Sequence, residues 1–359
     1  MTVVLHTADL HLCREEEEYS LGVLEEIVSL ALSHGAGFLI LAGDVFDSYA
    51  EAQALRSRFR KALEPLAGRC AVLYLPGNHE QLKRGSGSLH SLELGPLTLL
   101  DQTPCRLLRT EQVEFLAVPH QDSYAGYRQW QVPARCGIPR LGIAHGIVAG
   151  MAYTGSEQEG GGGALDPDLF KHLQADYAAL GHIHSRRLES IEGLPFSYPG
   201  SARVWRRGEL GERGVNLLRL GPGVETQFLP LRRAGQYRER VLPLGLEGEP
   251  EGAGNFAGPG QENDWLRLLL TGVVEDEHAV SLLESSLKRE LAPRLRRLEV
   301  DREAVSTLPG IASHPLAQKF LQAWRQLEPE EQEGQRRRVW LRARELALLE
   351  IKAALEARR

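Results

Sequence analysis

Residues 37–47 read Gly37-Phe38-Leu39-Ile40-Leu41-Ala42-Gly43-Asp44-Val45-Phe46-Asp47: an apolar run, then a glycine, then a carboxylate. A strand buried on both faces has that composition, and glycine lets the chain turn sharply off it. The same order recurs along the first half of the chain. Thr2-Val3-Val4-Leu5-His6 leads into Asp9-Leu10-His11, and Ala71-Val72-Leu73-Tyr74-Leu75 leads into Gly77-Asn78-His79-Glu80. Arg140-Leu141-Gly142-Ile143-Ala144 leads into His145-Gly146, and Tyr177-Ala178-Ala179-Leu180 into Gly181-His182-Ile183-His184. Between the first three, Glu17 to His34 and Ala50 to Leu66 carry apolar residues at three-and-four spacing, which predicts helices. Alternating strand and helix predicts an α/β fold with right-handed crossovers and functional side chains at the strands' carboxyl ends.

The side chains delivered to those ends are Asp9, His11, Asp44, Asn78, His145, His182 and His184. Taken singly, Asp9-x-His11 and His145 read as ordinary core or surface residues. Repetition of strand, glycine and ligand makes the set a site. A four-coordinate zinc site would leave several of these groups idle. Seven oxygen and nitrogen donors, with Asp44 as the bridge, suit two Mn²⁺, Fe²⁺ or similar ions about 3.5–4 Å apart, the spacing used for in-line displacement at phosphorus. The expected nucleophile is a hydroxide shared by the ions.

The ordered set Asp-x-His, Gly-Asp-x-x-Asp, Gly-Asn-His-Glu, His and Gly-His-x-His resembles the calcineurin-like metallophosphoesterases over about residues 1–235. Three stretches resemble the SbcD-like DNA repair nucleases within that superfamily: Leu5-His6-Thr7-Ala8-Asp9-Leu10-His11-Leu12, Ala175 to His184, and Tyr198-Pro199-Gly200-Ser201. The resemblance implies a four-layer α/β/β/α sandwich, a small α+β capping domain over 236–310, and a helical tail over 311–359. It assigns Asp9, His11, Asp44 and His184 to one metal, and Asp44, Asn78, His145 and His182 to the other. His79 matches the family's non-ligand histidine, which stabilises the scissile phosphate or protonates the leaving oxygen. Asp47 is expected to orient a ligand histidine. The implied cofactors are two divalent ions, Mn²⁺ first, with Fe²⁺, Mg²⁺ or Zn²⁺ as alternatives.

The implied activity is metal-dependent exo- and endonucleolytic cleavage of DNA. A phosphatase or phosphodiesterase for a small or protein substrate is the alternative, and a binding scaffold with a degenerate site is a third reading. Gly-Asn-His-Glu also occurs in Ser/Thr protein phosphatases, but those carry Arg-Gly after the second Asp, where this chain has Ser48-Tyr49. No nucleotide-binding loop is present in the sequence, so the resemblance implies an SbcC-like coiled-coil ATPase partner docking on the tail. It also implies a homodimer built on Ala50 to Leu66 and Ser86 to Leu94.

Composition sets outer limits. The formal charge of −6 and pI near 6.1 argue against a generic DNA-coating surface, since phosphate neutralisation falls to Lys and Arg. Local basic stretches exist at Arg203-Val204-Trp205-Arg206-Arg207, Arg232-Arg233 and Arg289 to Arg302. Of these, Arg203, Arg206 and Arg207 are the expected DNA contacts, giving modest, salt-sensitive affinity. No apolar run approaches the ~20 residues needed to span a bilayer, and the sequence opens on a strand rather than a leader. Cys13, Cys70, Cys105 and Cys136 form no Cys-x-x-Cys pair, so a reducing cytoplasm is expected.

Gly155 to Gly163 reads as a flexible loop over the site or a plain insertion, and Gly245 to Gly260 as a linker. Trp265 to Gly272 and Leu295 to Val300 are expected strands, with Glu277 to Leu291 a helix between them. In the tail, which breaks near Glu328-Pro329, Leu316, Phe320, Leu321, Trp324 and Leu327 share one face. Val339, Trp340, Leu346, Leu349, Ile351 and Leu355 form another, suited to docking on their own domain or on a partner.

Overall fold

Alternation along the central strands sends successive side chains into two different apolar layers. The computed structural model describes residues 1–80, 89–121, 124–150, 164–191, 193–250, 262–307, 311, 314–327 and 335–356. The Gly155–Gly163 stretch, residues 86–88 of the expected dimer segment, residues 251–260 of the linker and the Glu328–Pro329 break lie outside them. The chain divides into two compact units, Met1–Gln236 and Tyr237–Arg359.

Two six-stranded sheets build the first unit. From edge to edge, one runs Val224–Pro230, Gly214–Leu220, Thr2–Thr7, Phe38–Ala42, Ala71–Leu75 and Leu97–Leu99. The other runs Arg187–Ile191, Leu194–Tyr198, Tyr177–Gly181, Arg140–His145, Glu114–Val118 and Arg106–Arg109. The motif-bearing strands are mutually parallel within each sheet: His6 stands opposite Ile40, Ala42 opposite Leu75, and Gly181 opposite His145. Antiparallel strands close three of the four edges, and the short parallel strand Leu97–Leu99 closes the fourth.

Val4, Ile40 and Leu73 of the first sheet meet Phe115, Leu141, Ile143 and Tyr177 of the second in a sealed core. Their neighbours Leu5, Leu39, Leu41 and Val72 face the opposite way, under Leu24, Ile27, Leu55 and Phe59 of helices Glu17–Ser33 and Tyr49–Leu63. Ser48 caps the second helix by accepting from the Glu51 amide at 3.3 Å, and the helix passes into a 3-10 turn at Glu64–Leu66. Beyond the second sheet, Leu116, Ala144, Ala178 and Leu180 lie under Leu169 and Phe170 of the short helix Asp168–His172 and under Tyr124 and Tyr127. The order of layers is α/β/β/α, as the resemblance implied.

The second unit is a three-stranded parallel sheet, Tyr237–Leu244, Trp265–Val274 and Arg297–Thr307. Helix Glu277–Leu291 covers Leu242, Leu266, Leu268 and Leu270 with Val280, Leu287 and Leu291. Parallel pairing needs that crossover. Tyr237–Leu244 was not foreseen, because Arg238, Glu239, Arg240 and Pro243 interrupt its pattern. A proline is tolerated there because the strand is an edge. The tail helices Pro315–Arg325 and Gln335–Glu356 belong to the same unit. Ala317, Phe320, Leu321, Leu341, Leu348 and Leu349 pack with Leu246 and Val273, and Trp324 stacks between Phe320 and Trp340. Leu316, Leu327, Val339 and Leu346 stay largely exposed. Among the described residues no helix is long and apolar enough to cross a membrane.

Candidate metal centre

Five parallel strands end within reach of one another, and the turns that follow them are strained. Asp9, His11, Asp44 and His182 all have positive φ, at 54°, 46°, 48° and 98°. Non-glycine residues enter that region at a cost of about 1–3 kcal/mol each and stay there only when their surroundings hold them. Here the Asp9 amide donates to the Gly43 carbonyl and the His11 amide to the Asp44 carbonyl, each at 3.0 Å.

The glycines serve a different purpose from sharp turning alone. A Cβ on Gly77 would sit 2.1 Å from Asp44 Oδ1, and one on Gly181 would sit 1.9 Å from the Ala42 carbonyl. Neither residue has a positive φ. Only glycine lets the third motif pass Asp44 within the first sheet and lets the two sheets approach at Gly181, and at Gly43 (φ 91°) both needs coincide, since a Cβ would lie 2.1 Å from His145 Nδ1.

All seven expected ligands converge. Asp9, His11 and His184 form one group and Asp44, His145 and His182 another, with ligand atoms in each group within 4.8 Å of one another. Asn78 joins the second: its Oδ1 is 3.0 Å from His145 Nε2 and 3.1 Å from His182 Nδ1. His11 Nε2 and His184 Nε2 face each other at 3.2 Å. Two neutral imidazole nitrogens share at most one proton in that arrangement. Asp44 Oδ2, fully buried, has no hydrogen bond, although His145 Nε2 lies 3.1 Å away. Buried donors turned toward one another, with an orphaned carboxylate oxygen among them, fit divalent cations.

Charge is poorly balanced without such ions. Burial pushes the Asp9 carboxyl up to about 7. Burial also opposes ionisation of Asp44 and His145, but their mutual attraction outweighs it, holding Asp44 below the usual carboxylate range and raising His145 to about 10. Burial holds the His11 imidazole well below its ordinary range. A cation would displace the protons that Asp9 and His145 hold near neutral pH.

Residues 2–186 match the family model for calcineurin-like phosphoesterases. The chain belongs to that family. Two curated relatives from Bacillus subtilis are each 23% identical: an uncharacterized metallophosphoesterase, YhaO, over 256 residues, and the SbcD component of the nuclease SbcCD over 265. The alignments cover 61% and 63% of this chain, and 57% and 68% of the respective relatives. A purple acid phosphatase from yellow lupin seeds is a solved structure of similar layout, with 14% identity and a TM-score of 0.46, covering 66% of this chain and 52% of that one. Family membership makes the chain a metal-dependent phosphoesterase, and its gathered His and Asp side chains fit the two-metal site that the family uses.

In this phosphoesterase His79 stands at the edge of the centre and is partly exposed. Its amide donates to Asp44 Oδ1 at 3.0 Å, and its Nδ1 lies 3.0 Å from the Asp47 carbonyl oxygen. The Asp47 carboxylate, expected to orient a ligand histidine, is 3.5 Å from His11 Nδ1 and 3.6 Å from His79 Nδ1, too far for a hydrogen bond. It is the backbone of Asp47 that positions a ring, and the ring is that of His79.

Arg203 corrects a sequence expectation. It is fully buried, and its guanidinium donates to the Leu10 and His11 carbonyls at 2.7 and 2.5 Å and to Glu16 at 2.5 Å. A buried cation has to be paired, and this one is used up bracing the Asp9–His11 turn, so it is not a DNA contact. Arg206 sits 3.9 Å from the Trp205 ring centroid, and Arg207 is exposed. Arg233 pairs with Glu25 at 3.0 Å, and the Arg232 amide donates to Glu26. Arg297 is engaged with Trp265 and Glu299.

Two acids of the phosphoesterase site escaped the sequence reading of roles. Glu209 Oε1 is 2.5 Å from His184 Nδ1, which fixes that ring with Nε2 inward; the hydrogen bond keeps Glu209 ionised against the effect of burial. Glu80, fully buried, accepts from the Val45 amide, the Tyr74 hydroxyl and the Gly77 amide at 3.0, 2.8 and 3.3 Å. It ties the second motif to the third. Glu209 stands 25 residues beyond His184, with no spacing rule to mark it.

Proposed function

We propose that this phosphoesterase is a DNA exonuclease and endonuclease, using two divalent ions, Mn²⁺ first among them. The observation that carries the reading is the likeness to the SbcD component of SbcCD, 23% identical over 63% of this chain. The wording around the first and last motifs, Leu5 to Leu12 and Ala175 to His184, supports the same branch.

Two divalent cations at this centre supply an activated water and neutralise charge on a phosphodiester. The residues supply placement. Asp9 and Asp44 bring negative charge into a pocket whose walls are buried, and Asn78 and His79 occupy its accessible side. In the in-line reaction a water oxygen bonds to phosphorus as the bond to the leaving oxygen breaks. His79, held by the Asp47 carbonyl, is the group positioned to give that oxygen its proton. Arg206 and Arg207 are the proposed backbone contacts outside the centre.

A homodimer acting with an SbcC-like coiled-coil ATPase in a reducing cytoplasm completes the proposal. The test is degradation of end-labelled duplex and single-stranded DNA with Mn²⁺, with a His79→Ala control. Mn²⁺-dependent loss of label that His79→Ala abolishes supports it. Inert DNA alongside rapid hydrolysis of a cyclic nucleotide or a phosphoprotein would replace it with the small-molecule or protein phosphatase reading.

A further inference from the structure

A metal-binding histidine usually donates its second ring nitrogen to a carboxylate or carbonyl, which sets the ring's orientation. His184 follows this pattern through Glu209, and His145 follows it through the Ala42 carbonyl at 2.9 Å. His11 does not. Its Nδ1 is buried with no hydrogen-bond partner, and its backbone is in the left-handed region.

What lies against the His11 ring is Trp205. The two rings are stacked with centroids 3.6 Å apart and planes 4° from parallel. The same indole meets His79 edge-on and His184 at a tilt, each with centroids 5.5 Å apart. Arg206, 3.9 Å from the indole centroid, must lie on the face away from His11, because two groups this close to one centroid cannot share a face. Trp205 therefore stacks between an imidazole and a guanidinium.

Its backbone is fixed as well. The Trp205 amide donates at 2.8 Å to Glu209 Oε2, while the other oxygen of that carboxylate holds His184. Two residues before, Arg203 grips the carbonyls of Leu10 and His11. Thus Arg203 holds the His11 backbone, Trp205 the His11 ring, and Glu209 both the His184 ring and Trp205.

We propose that Arg203–Glu209 is a clamp for one half of the two-metal centre, the half built from Asp9, His11 and His184, and that Trp205 is the positioning residue for His11. Stacking replaces the missing hydrogen bond: the indole face keeps Nε2 directed at the metal position shared with His184. The proposal rests on the two-metal reading of the site and not on the identity of the substrate. It requires an aromatic face at position 205, so the substitutions Trp205→Phe and Trp205→Leu separate the stack from mere filling of space.

The experiment is a Mn²⁺ titration of the full chain followed by electron paramagnetic resonance, with thermal melting of the metal-free proteins as a check on folding. The native chain is expected to take up two Mn²⁺ giving a spin-coupled signal, and Trp205→Phe to do the same. Trp205→Leu is expected to bind the first ion normally and the second about 10- to 100-fold more weakly, leaving the six-line signal of an isolated ion. Equal binding of both ions by Trp205→Leu, loss of both ions together, or Trp205→Phe failing as Trp205→Leu does would each overturn the clamp. A native chain that binds fewer than two Mn²⁺ would overturn the two-metal reading as well, whatever the outcome on DNA.

Discussion

The two halves of the centre are held in different ways. His145, His182 and Asn78 are fixed where the sheets meet: His145 leans on the Ala42 carbonyl, and the two histidines converge on the Asn78 oxygen. His11 and His184 depend on a loop far along the chain, through Trp205 and Glu209. The first half is rigid because two sheets at close packing cannot shift independently. The second has its backbone tied to the second motif through the Gly43 and Asp44 carbonyls, but its two imidazole rings depend on the 203–209 segment. One consequence is that the two metal positions differ in their tolerance of remote change.

Asp44 lies between the halves, so its substitution has the largest effect. Asp44→Ala is expected to lower Mn²⁺-dependent hydrolysis about a thousandfold or more, since several kcal/mol of charge stabilisation is lost, and to weaken both ions in the same titration. His79→Ala should lower turnover about 10²- to 10⁴-fold while both ions remain bound, which separates proton delivery from metal holding. If His79→Ala loses an ion, His79 is a ligand and the assignment changes.

Glu209→Gln should weaken a single ion about 10- to 100-fold, because the amide holds His184 less strongly and in a less defined tautomer. Equal weakening of both ions would erase the distinction between the halves. Arg207→Ala should have the smallest effect, a modest loss of DNA affinity with the salt slope reduced by about one.

The metal-free protein should respond to pH in a defined direction. The folded-state values of Asp9, about 7, and Glu80, about 8, stand above those of free carboxylates, both chiefly through burial. His145, at about 10, stands above a free imidazole. Each holds a proton in the folded chain that the unfolded chain has released, so their contribution to stability falls as pH rises through these values, while His6 and His11, kept neutral by burial, act the other way below about pH 6.5. Asp44, displaced downward, opposes this only below about pH 4. Melting of the metal-free chain should therefore occur at a lower temperature at pH 8 than at pH 6. The increase in melting temperature on adding Mn²⁺ should be greater at pH 8, because fewer protons compete.

The sequence disclosed the strained half of this chemistry more readily than the supporting half. Asp9, Asp44 and His182 were visible because a strand, a tight backbone and a donor fall within a few residues of each other. Glu209 and Trp205 act through space, across a gap that no local pattern spans. Arg203 was misread for a related reason: a basic run looks the same whether its first guanidinium meets solvent or two buried carbonyls. In the second unit, Trp265–Val274 was legible from its apolar run, while Tyr237–Leu244 was hidden by its charges and Pro243. Edge strands tolerate both, so their sequences carry less of the pattern.

Anomalous scattering at the manganese edge from crystals grown with Mn²⁺ tests the two-metal claim most directly. Two peaks are predicted, one among Asp9, His11, Asp44 and His184 and one among Asp44, Asn78, His145 and His182, with Asp44 touching both. A single peak, or a second peak away from Asp44, would contradict it.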